Sequence, residues 1–177
     1  MKEESELKYN GRRFQVIQTK YHNKEGMEYI RDCVQIAPAV VIIPVKENGD
    51  IIFIKQVREC IGKEMLELPA GVIEEGESPE EAAFRELKEE TGIEAKSMTL
   101  LLEAYTATGY SNEKIYFYIA KAFSYGSKHL DADERIEEVL SLSSSQWREM
   151  LEKNQFEETT VLTALYAYLY NLSPKEF

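Results

Sequence analysis

The segment from Gly71 to Ile93 constrains this chain more than any other. It reads Gly71, five residues, Glu77, seven residues, Arg85-Glu86-Leu87, one residue, Glu89-Glu90, one residue, Gly92-Ile93. Its middle is a helix with both ends marked: Ser78-Pro79-Glu80-Glu81 combines an N-cap, a proline at the first helical position and a glutamate at the third, and Gly92 supplies the stop. On that helix Glu86, Glu89 and Glu90 stand at i, i+3 and i+4, which puts their carboxylates on one face at ~5–6 Å between Cβ atoms. Arg85 lies four residues before Glu89 and offers it a partner. A glutamate-rich helix is ordinarily a solvated face. Here every fixed position of a longer spaced pattern is filled, which random sequence achieves on the order of once in ten million chains of this size.

The rest of the chain reads as strands with helices interleaved. Arg13 to Thr19 and Met27 to Arg31 have strand character and flank the turn-forming His22 to Gly26, so residues 1–35 form an N-terminal antiparallel β ribbon. Ala37 to Val45 and Ile51 to Ile54 are apolar runs joined by Glu47-Asn48-Gly49-Asp50, a hairpin signal, and are expected to be two central strands of a mixed sheet. Met98 to Tyr105 and Lys114 to Phe123 add strands, the second with Tyr116 and Tyr118 alternating against Ile115, Phe117 and Ile119. Ser143 to Lys153 and Thr159 to Leu172 have helical spacing. The fold class is α/β (α+β), with residues 36–177 forming the main domain around the helix.

Composition excludes several functions. With 21 Lys+Arg against 32 Asp+Glu the net charge is −11, which disfavours nucleic acid and anionic membranes as partners. A small anionic ligand remains compatible, because a metal ion can bridge it to an acidic protein. Cys33 and Cys60 are the only cysteines and form no metal-binding spacing, so the expected setting is reduced and cytoplasmic. Met1 to Asn10 has no apolar signal region, and no run approaches the ~20 residues of a membrane span.

The pattern over residues 71–93 resembles the Nudix box of the Nudix hydrolases, which cleave nucleoside diphosphates linked to another moiety, and it matches without a departure. Glu67-Leu68-Pro69-Ala70-Gly71 before the box, Tyr110-Ser111-Asn112-Glu113-Lys114 after it and the C-terminal helix pair resemble the ADP-ribose pyrophosphatase branch. The resemblance implies a Nudix fold, a mixed β-sheet sandwiched between helices, and a homodimer built by the N-terminal ribbon. It implies metal-dependent hydrolysis of a nucleoside diphosphate sugar, ADP-ribose first, to AMP and a sugar phosphate. Two or three Mg²⁺ ions, or Mn²⁺ in their place, suit hard oxygen ligands on a rigid helix.

The resemblance also assigns residues. The metal ligands are the backbone carbonyl of Ala70 and the carboxylates of Glu86, Glu90 and Glu89. Glu113, on the loop after the box, is the candidate base for the attacking water, with Glu134 and Glu137 as fallbacks. Arg85 orients the glutamates through charge-assisted hydrogen bonds. Glu77 either joins the site or makes a contact at the helix entrance. Arg58 suits a diphosphate through its bidentate guanidinium, and Tyr29, Arg31 and Tyr110 suit stacking on or clamping a base.

One departure bears on the substrate. Many ADP-ribose pyrophosphatases carry Ser-Pro-Gly where this chain has Ala107-Thr108-Gly109. Other nucleoside diphosphate sugars such as GDP-mannose, and dinucleoside polyphosphates, therefore stay open. A non-catalytic nucleotide sensor of the same fold is the rival from another class, and the intact set Glu86, Glu89, Glu90 argues against it.

Overall fold

A computed structural model of the chain describes residues 2–126 and 136–172. The elements in order are β1 (Lys2–Asn10), β2 (Phe14–His22), β3 (Glu28–Ile36), β4 (Ala39–Pro44), β5 (Ile51–Arg58), β6 (Lys63–Glu67), β7 (Ala70–Val72), α1 (Pro79–Thr91), β8 (Ile93–Tyr105), β9 (Lys114–Tyr125), β10 (Ile136–Leu142), α2 (Ser144–Glu152) and α3 (Thr159–Leu172). Among the described residues no helix is long and apolar enough to cross a membrane.

The core explains the continuous apolar run at Ala39–Pro44. β4 lies inside a four-stranded sheet of order β7-β4-β9-β8, antiparallel to β7 and parallel to β9. Its alternate side chains enter two cores. Val41 and Ile43 pack with Phe117, Trp147 and Leu165 on the side of α2 and α3, while Val40 and Ile42 pack with Ala83, Leu87 and Tyr118 on the side of α1. A strand covered on both faces has no polar side, so its sequence does not alternate. The mixed sheet thus lies between helices, as the resemblance to the Nudix hydrolases implies.

Two strand expectations are corrected. The turn after β4 forms, with Lys46 N–H donating to the Asp50 carbonyl at 2.9 Å, but it joins β4 to a strand of a different sheet. β5 pairs antiparallel with β10 and β6, and only the Val45–Ile51 bridge links the two strands across the turn. The reason is that β7 and β9 already occupy both edges of β4. The N-terminal ribbon has three strands rather than two, in order β1-β2-β3. Its β2–β3 turn is set by the Asn23 side chain, which accepts from the N–H groups of Glu25 and Met27 at 2.9 Å.

The helix over the box is built as its sequence specifies. The Ser78 hydroxyl accepts from Glu81 N–H, and the Glu81 carboxylate accepts from Ser78 N–H at 2.9 Å, closing a capping box behind Pro79. Gly92 ends the helix at φ 72°, with its N–H on the Lys88 carbonyl.

Candidate active site

The inner face of α1 buries Ala82, Ala83 and Leu87 against the sheet, and this places Glu86 and Glu90 at the rim of that core, with relative exposures of 6% and 1%. Carboxylates so buried require partners. Glu90 accepts from Ala70 N–H at 2.9 Å, which ties the end of α1 to the start of β7. Glu86 lies over Gly71 so closely that a Cβ there would fall 2.0 Å from its Cδ. Only glycine leaves room for that carboxylate.

Arg85 holds the remaining charges together. Its Nε donates to Glu77 at 2.9 Å, its Nη1 to Glu86 at 2.7 Å and to Glu89 at 2.9 Å, and its Nη2 to Glu77 at 3.0 Å and the Val72 carbonyl at 2.9 Å. The guanidinium draws the Glu77 carboxyl below its ordinary value of 4.5, and the carboxylates in turn, Glu77 foremost, push Arg85 further up. Glu77 also accepts from Glu74 N–H at 3.0 Å. Glu77 therefore closes the loop before the helix and shares the arginine of the glutamate stripe.

These side chains open into a cavity of about 680 Å³, whose lining includes Arg58, Ala70, Gly71, Arg85, Glu86 and Glu90. Arg58 is clamped by Glu67, with Nε to Oε1 at 2.8 Å and Nη2 to Oε2 at 2.5 Å. Glu67 is 3% exposed. Its hydrogen bonds hold Arg58 charged, above the ordinary guanidinium value.

The donor set fits hard divalent cations, since every candidate is a carboxylate or backbone oxygen and the absence of a side chain on Gly71 is what seats the Glu86 carboxylate. In the arrangement described, the positive charge among these glutamates is a guanidinium. Among the described residues no three acidic, histidine or cysteine side chains converge as a metal cluster; Arg85 bridges Glu77, Glu86 and Glu89, and Glu90 is turned to the Ala70 N–H.

Residues 35–162 match the NUDIX domain. The chain belongs to the NUDIX family. It is 38% identical over 109 residues to the ADP-ribose pyrophosphatase of Bacillus subtilis (strain 168), an alignment covering 60% of this chain and 59% of that protein. It is 32% identical over 146 residues to the methanol dehydrogenase activator of Bacillus methanolicus, covering 81% and 79%. The ADP compounds hydrolase NudE of Escherichia coli (strain K12) is 33% identical over 131 residues, covering 72% and 68%. A crystal structure of an ADP compounds hydrolase superposes with a TM-score of 0.87 at 25% identity, over 97% of this chain and 93% of that one.

Within this NUDIX domain the structure brings together Ala70, Glu86, Glu89, Glu90, Arg85 and Arg58, from β5, β7 and α1. Glu113, Tyr29, Arg31 and Tyr110 do not line the cavity. Glu113 stands just before β9 and accepts from the Thr106 hydroxyl at 2.7 Å. Tyr110 belongs to the same loop, which is fastened to β3: Val34 N–H donates to the Tyr110 carbonyl at 2.7 Å, and Ile36 N–H to Asn112 Oδ1 at 2.9 Å. Tyr29 stacks on Tyr21 with centroids 5.5 Å apart, and Arg31 lies 4.9 Å over the Tyr29 ring. Glu137 is on β10, exposed, and Glu134 lies outside the described residues. Sequence reasoning gave no role to Glu67, Gln56, Arg12 and Arg13. The pairing of Glu67 with Arg58 is not encoded in local spacing and arises only when β5 and β6 lie antiparallel.

Proposed function

We propose that this chain is a metal-dependent pyrophosphohydrolase that cleaves the diphosphate of ADP-ribose, adding water across one P–O bond to release AMP and ribose 5-phosphate. The single observation that carries this reading is the Gly71 notch: a buried Glu86 carboxylate packed on a glycine, beside Glu90, at the wall of a cavity that also presents Arg58. The names borne by the B. subtilis and E. coli relatives support the substrate class.

Glu86, Glu89 and Glu90, with the Ala70 carbonyl, are the residues to hold two or three Mg²⁺ ions, or Mn²⁺ in their place. When bound, such ions neutralise the diphosphate and lower the pKa of attacking water. Arg85 keeps the carboxylates oriented and charged. Arg58, fixed by Glu67, orients the diphosphate. Glu113 takes the proton of the attacking water, carried by its loop, which Thr106 and β3 position. Tyr29, Arg31 and Tyr110, which lie outside the cavity of their own chain, are assigned to the base through the second copy of the homodimer. Residues 1–35 join two copies into a homodimer, and 36–177 form the hydrolase domain. A reduced cytoplasmic setting suits its cysteines, both free, and a small nucleotide rather than a nucleic acid suits its net charge of −11.

A second substrate remains in view because Ala107-Thr108-Gly109 replaces the Ser-Pro-Gly of many ADP-ribose pyrophosphatases. The test is chromatographic product analysis with Mg²⁺ on ADP-ribose, ADP-glucose, GDP-mannose, diadenosine polyphosphates and NADH. ADP-ribose is expected to give the highest kcat/KM, and a chelator to abolish it. Glu113→Gln, run beside the wild type, should lower kcat more than it raises KM. Preference for another compound would move specificity to the 107–113 loop. Turnover of none, with nucleotide binding intact, would overturn the hydrolase reading in favour of a sensor.

A further inference from the structure

We propose that Gln56 is a specificity-determining residue of the cavity, its side-chain amide hydrogen-bonding a hydroxyl of a ribose that adjoins the diphosphate to be cleaved. This rests on the hydrolase reading and deepens it, adding a neutral contact to a site so far built from charges. Gln56 lines the same cavity as Arg58, Glu86 and Glu90. It is more than nine-tenths buried, with a relative exposure of 8%. Among the described residues no group donates to its amide oxygen or accepts from its amide nitrogen. Buried polar groups are nearly always paired, so an amide left open at a cavity wall marks a place that a ligand completes.

Its neighbours explain why the protein leaves it open. Gln56 stands opposite Met65 of β6 and Ile136 of β10, both buried, and neither offers an amide a strong donor or acceptor. Alternation along β5 sets the direction of the side chain: Ile52, Gln56 and Arg58 share one face of the strand. Ile52 packs with Ala82, Ala83 and Leu87, so that face is turned to the helix that carries Glu86 and Glu90. Arg58 is bonded to Glu67, which stands opposite Ile54, so the arginine side chain runs back along the same face toward Gln56. β5 is paired on both edges, and a recognition group on such a strand loses less freedom on binding than one on a mobile loop.

Hydrogen-bonding capacity decides the ligand. Apart from Gln56 and the Cys60 thiol, the polar side chains that line the cavity are charged. A carboxamide is neutral, donates through its nitrogen and accepts through its oxygen. A diphosphate oxygen only accepts, so it would use half of the group and face the carbonyl oxygen with its own charge. A sugar hydroxyl both donates and accepts, and so matches either half of the amide. The amino edge of adenine does so as well, but it lies a whole base beyond the sugar. Gln56 is two positions from Arg58, about 7 Å along a strand. With Arg58 on the diphosphate, the group within that reach is the ribose next to it.

The experiment reads binding without catalysis. ADP-ribose and its analogues lacking the 2- or the 3-hydroxyl of either ribose are titrated by calorimetry into the full chain without divalent metal, for wild type, Gln56→Met and Gln56→Leu. The wild type should bind at least one analogue about tenfold more weakly than ADP-ribose, and the position of the missing hydroxyl tells which ribose is read. Gln56→Met should weaken ADP-ribose by a similar factor and leave the affinity for that analogue unchanged, because the partner of the amide is already gone. Its melting temperature should hold or rise, since an unpaired buried amide adds nothing to the free protein. Equal wild-type affinities, equal loss on every ligand in the variants, unchanged affinities in them, absent wild-type binding, or failure of both variants to fold would overturn the proposal. Failure of the hydrolase reading would show separately, as absent turnover of ADP-ribose with Mg²⁺ while these affinities are as expected.

Discussion

At the residue scale the site is a set of buried charges each satisfied by one particular partner, and two substitutions test whether those partnerships carry function. Gly71→Ala places a Cβ 2.0 Å from the Glu86 Cδ, so the carboxylate must swing out of its notch. We expect turnover to fall by orders of magnitude while circular dichroism and melting temperature change little, because the moved group is the end of a flexible side chain; wild-type turnover in that variant would remove Glu86 from the site. Glu67→Gln removes the charge opposite Arg58 and leaves an amide among guanidinium donors. Glu67 is buried but the Arg58 side chain is 40% exposed, so solvent offsets part of the loss and the stability cost should be about 1–3 kcal/mol. Released from its clamp, Arg58 should raise KM several-fold with a smaller effect on kcat; an unchanged KM in calorimetrically folded protein would show that Arg58 does not touch substrate. How much of this was legible follows from sequence separation. Glu86, Glu89, Glu90 and Arg85 lie within one helical turn or so, and helical geometry alone brings them together. Glu67 with Arg58 needs a strand pairing, and Arg12 and Arg13 need a whole sheet to be placed, so neither pairing is encoded in local spacing.

At the element scale α1 was the most legible part of the chain because its start, its stop and its buried face are all written within residues 78–92. β10 is not legible in the sequence, since Ile136–Leu142 mixes glutamates with apolar residues, as suits a strand at the edge of a sheet. The β4 and β5 runs read as strands, yet apolar content says nothing about which sheet a strand joins. The cap of α1 can be tested directly. Ser78→Ala removes the acceptor for Glu81 N–H and should cost about 1 kcal/mol, read from denaturant midpoints. The cap also predicts a pH dependence. The Glu81 carboxyl is held below its ordinary 4.5, first by the Ser78 hydroxyl and then by the Ser78 backbone N–H. A depressed folded value means that its contribution is complete above the unfolded value near 4.5 and is lost as pH falls through the lower folded value. The stability difference between wild type and Ser78→Ala should therefore narrow as pH drops below about 4.5. A constant gap down to acid unfolding would show that the pairing contributes nothing to the cap.

At the scale of the whole molecule the N-terminal sheet sets the remaining problem. A layer of secondary structure is stable when at least one face is covered, and two or three strands alone are marginal in water. Within β2 and β3, however, only Thr19 is fully buried, and Leu7, Tyr9, Phe14, Met27, Tyr29 and Ile30 are all exposed by more than a third. The sheet is joined to the rest of the described chain at the end of β3, through the Val34–Ser111 bridge and the bonds beside it. One face carries a row in register across all three strands, Leu7 opposite Ile17 and Ile17 opposite Cys33. Alternating apolar residues made these strands recognisable, but no sequence signal says that the surface covering them comes from another copy. If a second copy covers this row, Leu7→Glu places a carboxylate in the middle of the interface, where burying an unpaired charge is costly. Light scattering should then report a dimer for the wild type and a monomer for the variant at micromolar concentration. The melting temperature of the wild type should rise with protein concentration, as linkage to assembly requires, and that of the variant should not. A wild type that is monomeric across this range would refute the dimer outright, and a dimeric Leu7→Glu would move the interface away from the Leu7, Ile17 and Cys33 row.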